Sequence, residues 1–415
     1  MAETPKADPD IRIRREDSLI KMVFEPTAKG AHIAEVVPFT LNDPEYPALL
    51  VLWVVDLGGT KVPLQVLTYD HETKTYIDGT EEVFQGRVPK ADNPRAASIF
   101  GTDKGLGIVI ANTGLDRAPF SRATNTLILP TGDGHLKDAS RMLPQDLQFS
   151  HDVSTGVINE RGDIGIYINS MYVPEYFIMR GEKLIDASAD YLPNAIHRDD
   201  KKFTASELAD VNGDGFADLI LGSSDEHNWR SVIYLNNGSG RFDRGGPSEL
   251  PRTPFPERKL QFVDRTVGGT VVDIQRMKLD EAQPYDDLLV TSNDAYMGYA
   301  TQILRNDGHG EFTDVTAQLI QGDAKSYFNN TSKPYTWQLR AIVFDHGSGP
   351  DILTKSEARF EVPSYVFGNN GDGTFGVDAS VVGSAITNAG SFGGTNMLIR
   401  LVDSTDIVLT DYPAH

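Results

Sequence analysis

Residues 208–222 read LADVNGDGFADLILG, a charged loop set between two apolar runs. Asp210, Asn212 and Asp214 alternate along it, and Asp218 follows four residues on. Phe216 lies between them and can offer its main-chain carbonyl. Alternate-residue spacing curls such oxygens around one point, and hard Ca²⁺ takes about six to eight oxygens at roughly 2.3–2.6 Å. Gly213 and Gly215 let the backbone bend there. Without a cation, three carboxylates in one turn repel and raise one another's pKa. An EF-hand would place a bidentate Glu at the twelfth position, which is Leu221 here, and would flank the loop with helices. The flanks read as strands instead. The expectation is a calcium loop within a β-hairpin, ligated by Asp210, Asn212, Asp214, the Phe216 carbonyl and Asp218. The ion is structural: it neutralises charge and pins two strands. The bland alternative is an Asn/Asp/Gly turn that binds nothing.

A second set of residues suits ligand binding. Aromatic, carboxylate and guanidinium side chains gather in stretches that read as loops away from the calcium hairpin. They are Tyr172 and Tyr176; His227, Trp229 and Arg230 beside Asp225; Tyr296 and Tyr299 beside Asp294; and Arg95, Arg265 and Trp337 where repeats begin. Flat amphipathic rings beside polar groups match the two faces of a sugar. The competing reading is that these rings pack sheet against sheet. Catalytic signals are poor. No metalloprotease helix motif, nucleophile elbow or phosphate loop is present, and DLGGTK (56–61) lacks the spacing of one. His151 with Asp152, and His227 near Asp225, are the acid–base pairs on offer. No catalytic residue is assigned.

The elements that must position these groups repeat. VIYLNNGSGRF (232–242) recurs as QILRNDGHGEF (302–312) and YVFGNNGDGTF (365–375). Weaker copies are LILPTGDGHL (127–136), VLTYDHETKTY (66–76) and YFIMRGEKL (176–184). Each is a strand, a turn that in the clearest copies is Asn-Gly or Asp-Gly, and a returning strand. Their spacing of roughly 50–70 residues is that of a four-stranded unit. Helical periodicity is nearly absent. The pattern predicts one all-β domain over residues 1–415, a seven-bladed β-propeller with four strands per blade, a ring of six or eight blades being the alternative. In that scheme residues 1–17 are a flexible lead, and 18–36 supply outer strands that complete the last blade with the C-terminal strands, closing the ring.

The motif D-x-N-G-D-G-x-x-D-L, a strand, then N-N-G-x-G-x-F resembles the FG-GAP or VCBS repeat, the family of integrin-α-like calcium-binding propellers. The resemblance implies a seven-bladed ring with calcium between the first and second strands of a blade, held by Asp210, Asn212, Asp214, Phe216 and Asp218. It also implies adhesion or lectin-like work. Residues 156–170 keep the frame but carry Val157, Arg161 and Gly165 where acids would stand, so Arg161 is expected to replace the ion, a solvated turn residue being the alternative.

Composition narrows the partners. Net charge is −21, with 59 Asp and Glu against 38 Lys and Arg, which argues against nucleic acid. The chain has no cysteine, which excludes disulfides, thiolate chemistry and Cys-ligated zinc. No apolar run suits membrane insertion. The expected partner is a carbohydrate or cell-surface glycoconjugate, with a protein partner as the alternative, and a sugar lyase or dehydratase as the enzymatic one. No secretory signal is visible, yet a loop that fills at millimolar calcium suits an extracellular or cell-surface site.

Overall fold

The computed structural model describes residues 27–42, 48–73, 75–197, 203–224, 230–242, 246–256, 258–259, 266–267, 269–294, 297–334, 340–345, 350–355, 365–378, 397–401 and 405–409. Within them the chain folds as consecutive antiparallel meanders. The first sheet holds Ala31–Phe39, Ala48–Val55, Gln65–Asp70 and Thr75–Asp78. The second to fourth sheets begin with Pro94–Thr102, Ser150–Val157 and Phe203–Ala209, and each has four strands in chain order. The fifth and sixth begin with Thr270–Met277 and Arg340–Asp345, and each gains a fifth strand. A hairpin of Met397–Leu401 and Thr405–Leu409 follows.

Residues 31–36 depart from the expected pairing. They belong to the first strand of the first sheet, in register with Val51–Val55, and not to a shared last blade. The cause is the run ALLVLWVV: a strand buried on both faces needs a hydrogen-bonded neighbour on each edge, and Ala31–Phe39 and Gln65–Asp70 supply them. Residues 18–26 lie outside the described set.

Successive sheets stack face to face across apolar seams. Alternate residues of one strand feed opposite seams, as the two-residue pleat dictates. Ile108 and Ile110 join Leu50 and Leu52 of the first sheet, while Val109 and Ala111 join Ile166 and Ile168 of the third. The pattern repeats between third and fourth, fourth and fifth, and fifth and sixth sheets. The first strand of each sheet lies beside the first strand of the next, the placement of inner strands around an axis. Polar bonds cross there too. Thr155 donates to the Ile99 carbonyl at 2.9 Å, the Ser206 amide to Asp152 Oδ2 at 2.7 Å, and Thr204 to the Val271 carbonyl at 2.6 Å.

Two details recur from sheet to sheet. The first strand bulges near its start in five of the sheets, at Ala34, Arg95, His151, Thr204 and Val272. A bulge re-aims the inserted side chain and bends the strand. On the other face, the leading Asn of the Asn-Gly hairpins is a clip. Asn236 Nδ2 donates to the carbonyls of Ile158 and Ala217, both at 3.0 Å, while Oδ1 accepts from Gly238 and Gly240 at 2.9 Å. Asn306 does the same work one sheet on, donating to Val211 and Asp286 at 2.8 Å. Each ties its hairpin to the sheet before.

Replacing Asn236 by Ala strands two carbonyls and two amides in a buried seam. The expected loss is about 2–4 kcal/mol of unfolding free energy, measured by urea titration, against less than about 1 kcal/mol for half-buried Asn237→Ala. Equal effects would refute the clip.

Candidate functional site

The loop at 210–218 forms where the sequence places it, between the inner strand Phe203–Ala209 and Asp218–Ser223. Gly213 and Gly215 take φ of 75° and 85°, the left-handed region that favours glycine. The side chains are spent on the loop's own backbone. Asp210 accepts from the amides of Gly213 and Gly215, each at 2.7 Å; Asn212 Oδ1 accepts from Asp214, and Asp214 Oδ1 from Phe216, both at 2.9 Å. Asp218 is fully buried and accepts from Asn236 at 2.6 Å and Val211 at 3.1 Å. Asp287 of the fifth sheet makes the matching pair of bonds, to Asn306 and Leu279, above a loop without the calcium spacing. The buried aspartate is therefore a device of the repeat as well as a candidate ligand.

The donor chemistry of the loop fits a hard cation, with three carboxylates, an amide oxygen and no Lys or Arg. Burial, with Asp214 and Asp210 nearby, pushes the Asp218 carboxyl up to about 7 against its two backbone bonds. Among the described residues, however, no three acidic or imidazole groups gather closely enough to hold an ion. One sheet earlier, the loop is two residues shorter, since Val157 pairs with Ile164 where Ala209 pairs with Asp218. There Asp163 is buried, yet arginines hold its carboxyl below the usual range: Arg180 at 2.8 Å is the main one, and Arg161 at 3.4 Å adds to it. The positive charge expected from Arg161 comes chiefly from Arg180, on the neighbouring strand.

The opposite face carries the starts of the inner strands and the loops that leave the second strands. Here loop 113–125 of the second sheet meets the lead-in 143–149 and loop 171–174 of the third. Ala123 and Gln148 exchange both backbone bonds, at 2.9 and 2.7 Å, and join the two. The DLGGTK turn of the first sheet docks alongside. The Leu57 carbonyl accepts from Asp116 at 2.8 Å, and a Cβ on Gly58 would fall 2.1 Å from the Gly114 oxygen. That approach explains a glycine in this turn without invoking phosphate.

The result is an apolar shelf. Phe120 is 49% exposed, Tyr172 43%, Leu147 56% and Val173 53%. Phe149 lies beneath, edge-on to Phe120 at 6.2 Å and to Tyr172 at 6.3 Å. The Arg122 guanidinium covers the Tyr172 ring at 3.6 Å. Phe120 has a φ of 55°, which is strained for a side chain of its size, and the Leu115–Ser121 backbone bond of 2.7 Å holds the loop closed around it. An exposed aromatic held in a strained conformation is a mark of a working surface.

Of the residues singled out in the sequence, Tyr172 and Arg95 do sit together here. Arg95, at a bulge, pairs with Asp116 and donates to Thr113 at 3.2 Å. His151, also at a bulge, packs on Phe149 at 5.4 Å; burial, aided by Arg95, lowers it to about 3. Burial thus keeps the ring neutral near pH 7, and Asp152 accepts from the Ser206 amide at 2.7 Å. Tyr176 and Tyr299 are corrections. Both are buried strand residues: Tyr176 packs on Phe242 at 5.3 Å, and the Tyr299 hydroxyl donates to the Lys325 carbonyl. Arg230 pairs with Glu249 at 3.5 Å in the fourth sheet, away from the shelf. His227, Trp229, Tyr296, Trp337 and Arg265 lie outside the described residues. Phe120, Arg122 and Phe149 were missed; the one available signal was Ala-Pro-Phe between two arginines in a loop after a second strand.

Behind the shelf, Asn125 Nδ2 donates to Glu175 at 3.2 Å. Burial, opposed by that bond and reinforced by Asp186 and Asp146, pushes the Glu175 carboxyl up to about 7. The folded state thus holds a proton that the unfolded chain releases near its ordinary 4.5. Stability from this group is complete below pH 4.5 and is lost as pH rises towards 7. Glu175→Gln should match the parent's melting temperature at pH 4.5 and exceed it at pH 8; parallel melting curves would refute the assignment.

No family model matches the chain, and no curated protein does. Solved structures overlap it loosely. A lectin from Agrocybe aegerita that recognises non-reducing terminal N-acetylglucosamine has 14% identity over 84% of this chain and 80% of its own, with a TM-score of 0.43. The Malassezia sympodialis allergen Mala s 1 has 10% identity over 78% and 86%, with a TM-score of 0.41. Trypanosoma rangeli sialidase, in complex with sialic acid, has 8% over 78% and 52%, with a TM-score of 0.41. Overlap this loose gives the activity of none of them a bearing on this chain.

Proposed function

We propose that this protein is a seven-bladed β-propeller that binds carbohydrate on the shelf at 113–125, 143–149 and 171–174, with calcium at 210–218 as a structural clamp. The observation that carries the binding role is the pair of exposed aromatics, Phe120 and Tyr172, brought together from two adjoining sheets. Rings that stand in water beside hydroxyls and guanidiniums match the C–H face and polar rim of a sugar. A protein partner is the second reading, favoured by Leu147 and Val173 at the same edge.

Ring closure draws support from the first sheet. Its outer side is as dry as its inner side, with Leu49, Val51 and Trp53 at most 1% exposed. Residues of a seventh blade, including the 397–409 hairpin, would cover it. The calcium role follows the FG-GAP-like spacing, the two left-handed glycines and the uncompensated charge around Asp218. Among the described residues no helix is long and apolar enough to cross a membrane. A loop that fills at millimolar calcium belongs on the outside of a cell or on its surface.

On a glycan array, Phe120→Ala and Tyr172→Ala should each weaken binding at least tenfold with little change in melting temperature. Selective binding that survives both changes would move the site elsewhere, and silence of the parent on every glycan would favour the protein partner. With a Kd of about 10⁻⁴ M, 5 mM calcium should raise stability by about 2 kcal/mol, and Asp214→Ala should erase that gain. Identical melts in calcium and in chelator would remove the ion from the account.

A further inference from the structure

We infer that the shelf selects anionic saccharides and that Arg122 reads the charge; this rests on the shelf being the binding site. Three arginines stand in this region, and two are committed. Arg95 is tied to Asp116 and Thr113, and Arg117 pairs with Asp56 at 2.8 Å. Arg122 is exposed and has no carboxylate within 4.0 Å among the described residues; its contact is the Tyr172 ring. In a chain with 21 more acids than bases, a guanidinium left without an acid is conspicuous.

Its placement is suited to an anion. At 3.6 Å from the centroid the guanidinium lies over the Tyr172 ring, and among the described residues its N–H groups donate no hydrogen bond. The guanidinium edge is a planar fork that matches the two oxygens of a carboxylate or sulfate group. Stacking also holds the fork still and strips water from one of its faces, so less ordering remains when an anion arrives. The aromatic shelf beside it takes the sugar ring. A second base reinforces the sign: Lys61, from the DLGGTK turn, donates to the Thr124 hydroxyl at 3.3 Å, two residues from Arg122. Of the acids on this side, Asp116 and Asp56 are neutralised by arginine and Asp92 accepts from the Gly59 amide at 2.7 Å; Asp146 is exposed on the lead-in, and burial pushes the Glu175 carboxyl up to about 7.

The test titrates the full chain by calorimetry at 0.15 M ionic strength. The probes are a galacturonic acid disaccharide, a sulfated galactose disaccharide and neutral cellobiose. The expected result is at least tenfold tighter binding of an anionic sugar than of cellobiose, reduced by added salt. The carboxylated and sulfated arms show which anion the fork prefers. Arg122→Gln should bring the anionic sugar down to the cellobiose level without changing the melting temperature. Arg122→Lys, which keeps charge but not the fork, should recover less than half of the lost binding free energy. Equal affinity for charged and neutral sugars, or a preference that survives Arg122→Gln, overturns this inference and leaves the shelf intact. Binding of none of the three, on titration to millimolar sugar, overturns the inference together with the shelf as a saccharide site.

Discussion

Sheets that pack face to face share no hydrogen-bond ladder, so nothing in the sheets themselves fixes how one slides or tilts against the next. Apolar seams supply most of the attraction here, but attraction of that kind is nearly indifferent to small shifts. The register comes from a few polar groups that leave one sheet and end on the backbone of its neighbour. Asp152 to Ser206, Thr204 to Val271, and the Asn236 and Asn306 clips are such groups. They sit at the axis and on the hairpin face. With those two lines held, loops on the remaining face meet in fixed relation, and only then can Phe120 of one sheet stand beside Tyr172 of another.

The two faces have taken different work. The hairpin face spends its polar side chains on its own backbone: Asp210, Asn212 and Asp214 accept amides from the turn they belong to, which leaves little for a macromolecular partner. The shelf face does the reverse. It leaves aromatic carbon in water and, among the described residues, a guanidinium without an acid, both of which disfavour the isolated protein slightly and favour association. A division of this kind suits a scaffold in which one side maintains the fold and the other contacts something else.

Local chemistry was readable in the residues; long-range destinations were not. Asn-Gly turns, the hairpins they close, and the four-strand period were legible because turn geometry demands those residue types. The use made of Asn236 was hidden, because the carbonyl it seeks belongs to Ile158, 78 residues upstream, and a carbonyl has no side-chain signature. Tyr176 stands at the first position of its repeat copy and Tyr299 three residues before its own, so both could be read as loop ends; the strands begin at Glu175 and Met297 and bury both rings. Phe120 escaped notice for the opposite reason. Its loop carries no repeat motif, and its exposure depends on a fold of loop 113–125 that composition does not announce. Residues 31–36 misled because an apolar hairpin with no visible partner could join either end of the chain.

Each described seam joins a sheet to the one before or after it in the chain. Cooperativity in such an arrangement passes from neighbour to neighbour, as in a one-dimensional lattice, and not through a common centre. Loosening at one seam is therefore felt first by the two sheets that share it, and by the others only through them. The shelf straddles the second and third sheets, so a bound ligand acts as an additional rivet across a single joint of that lattice, and its stabilising influence should fade with distance along the stack.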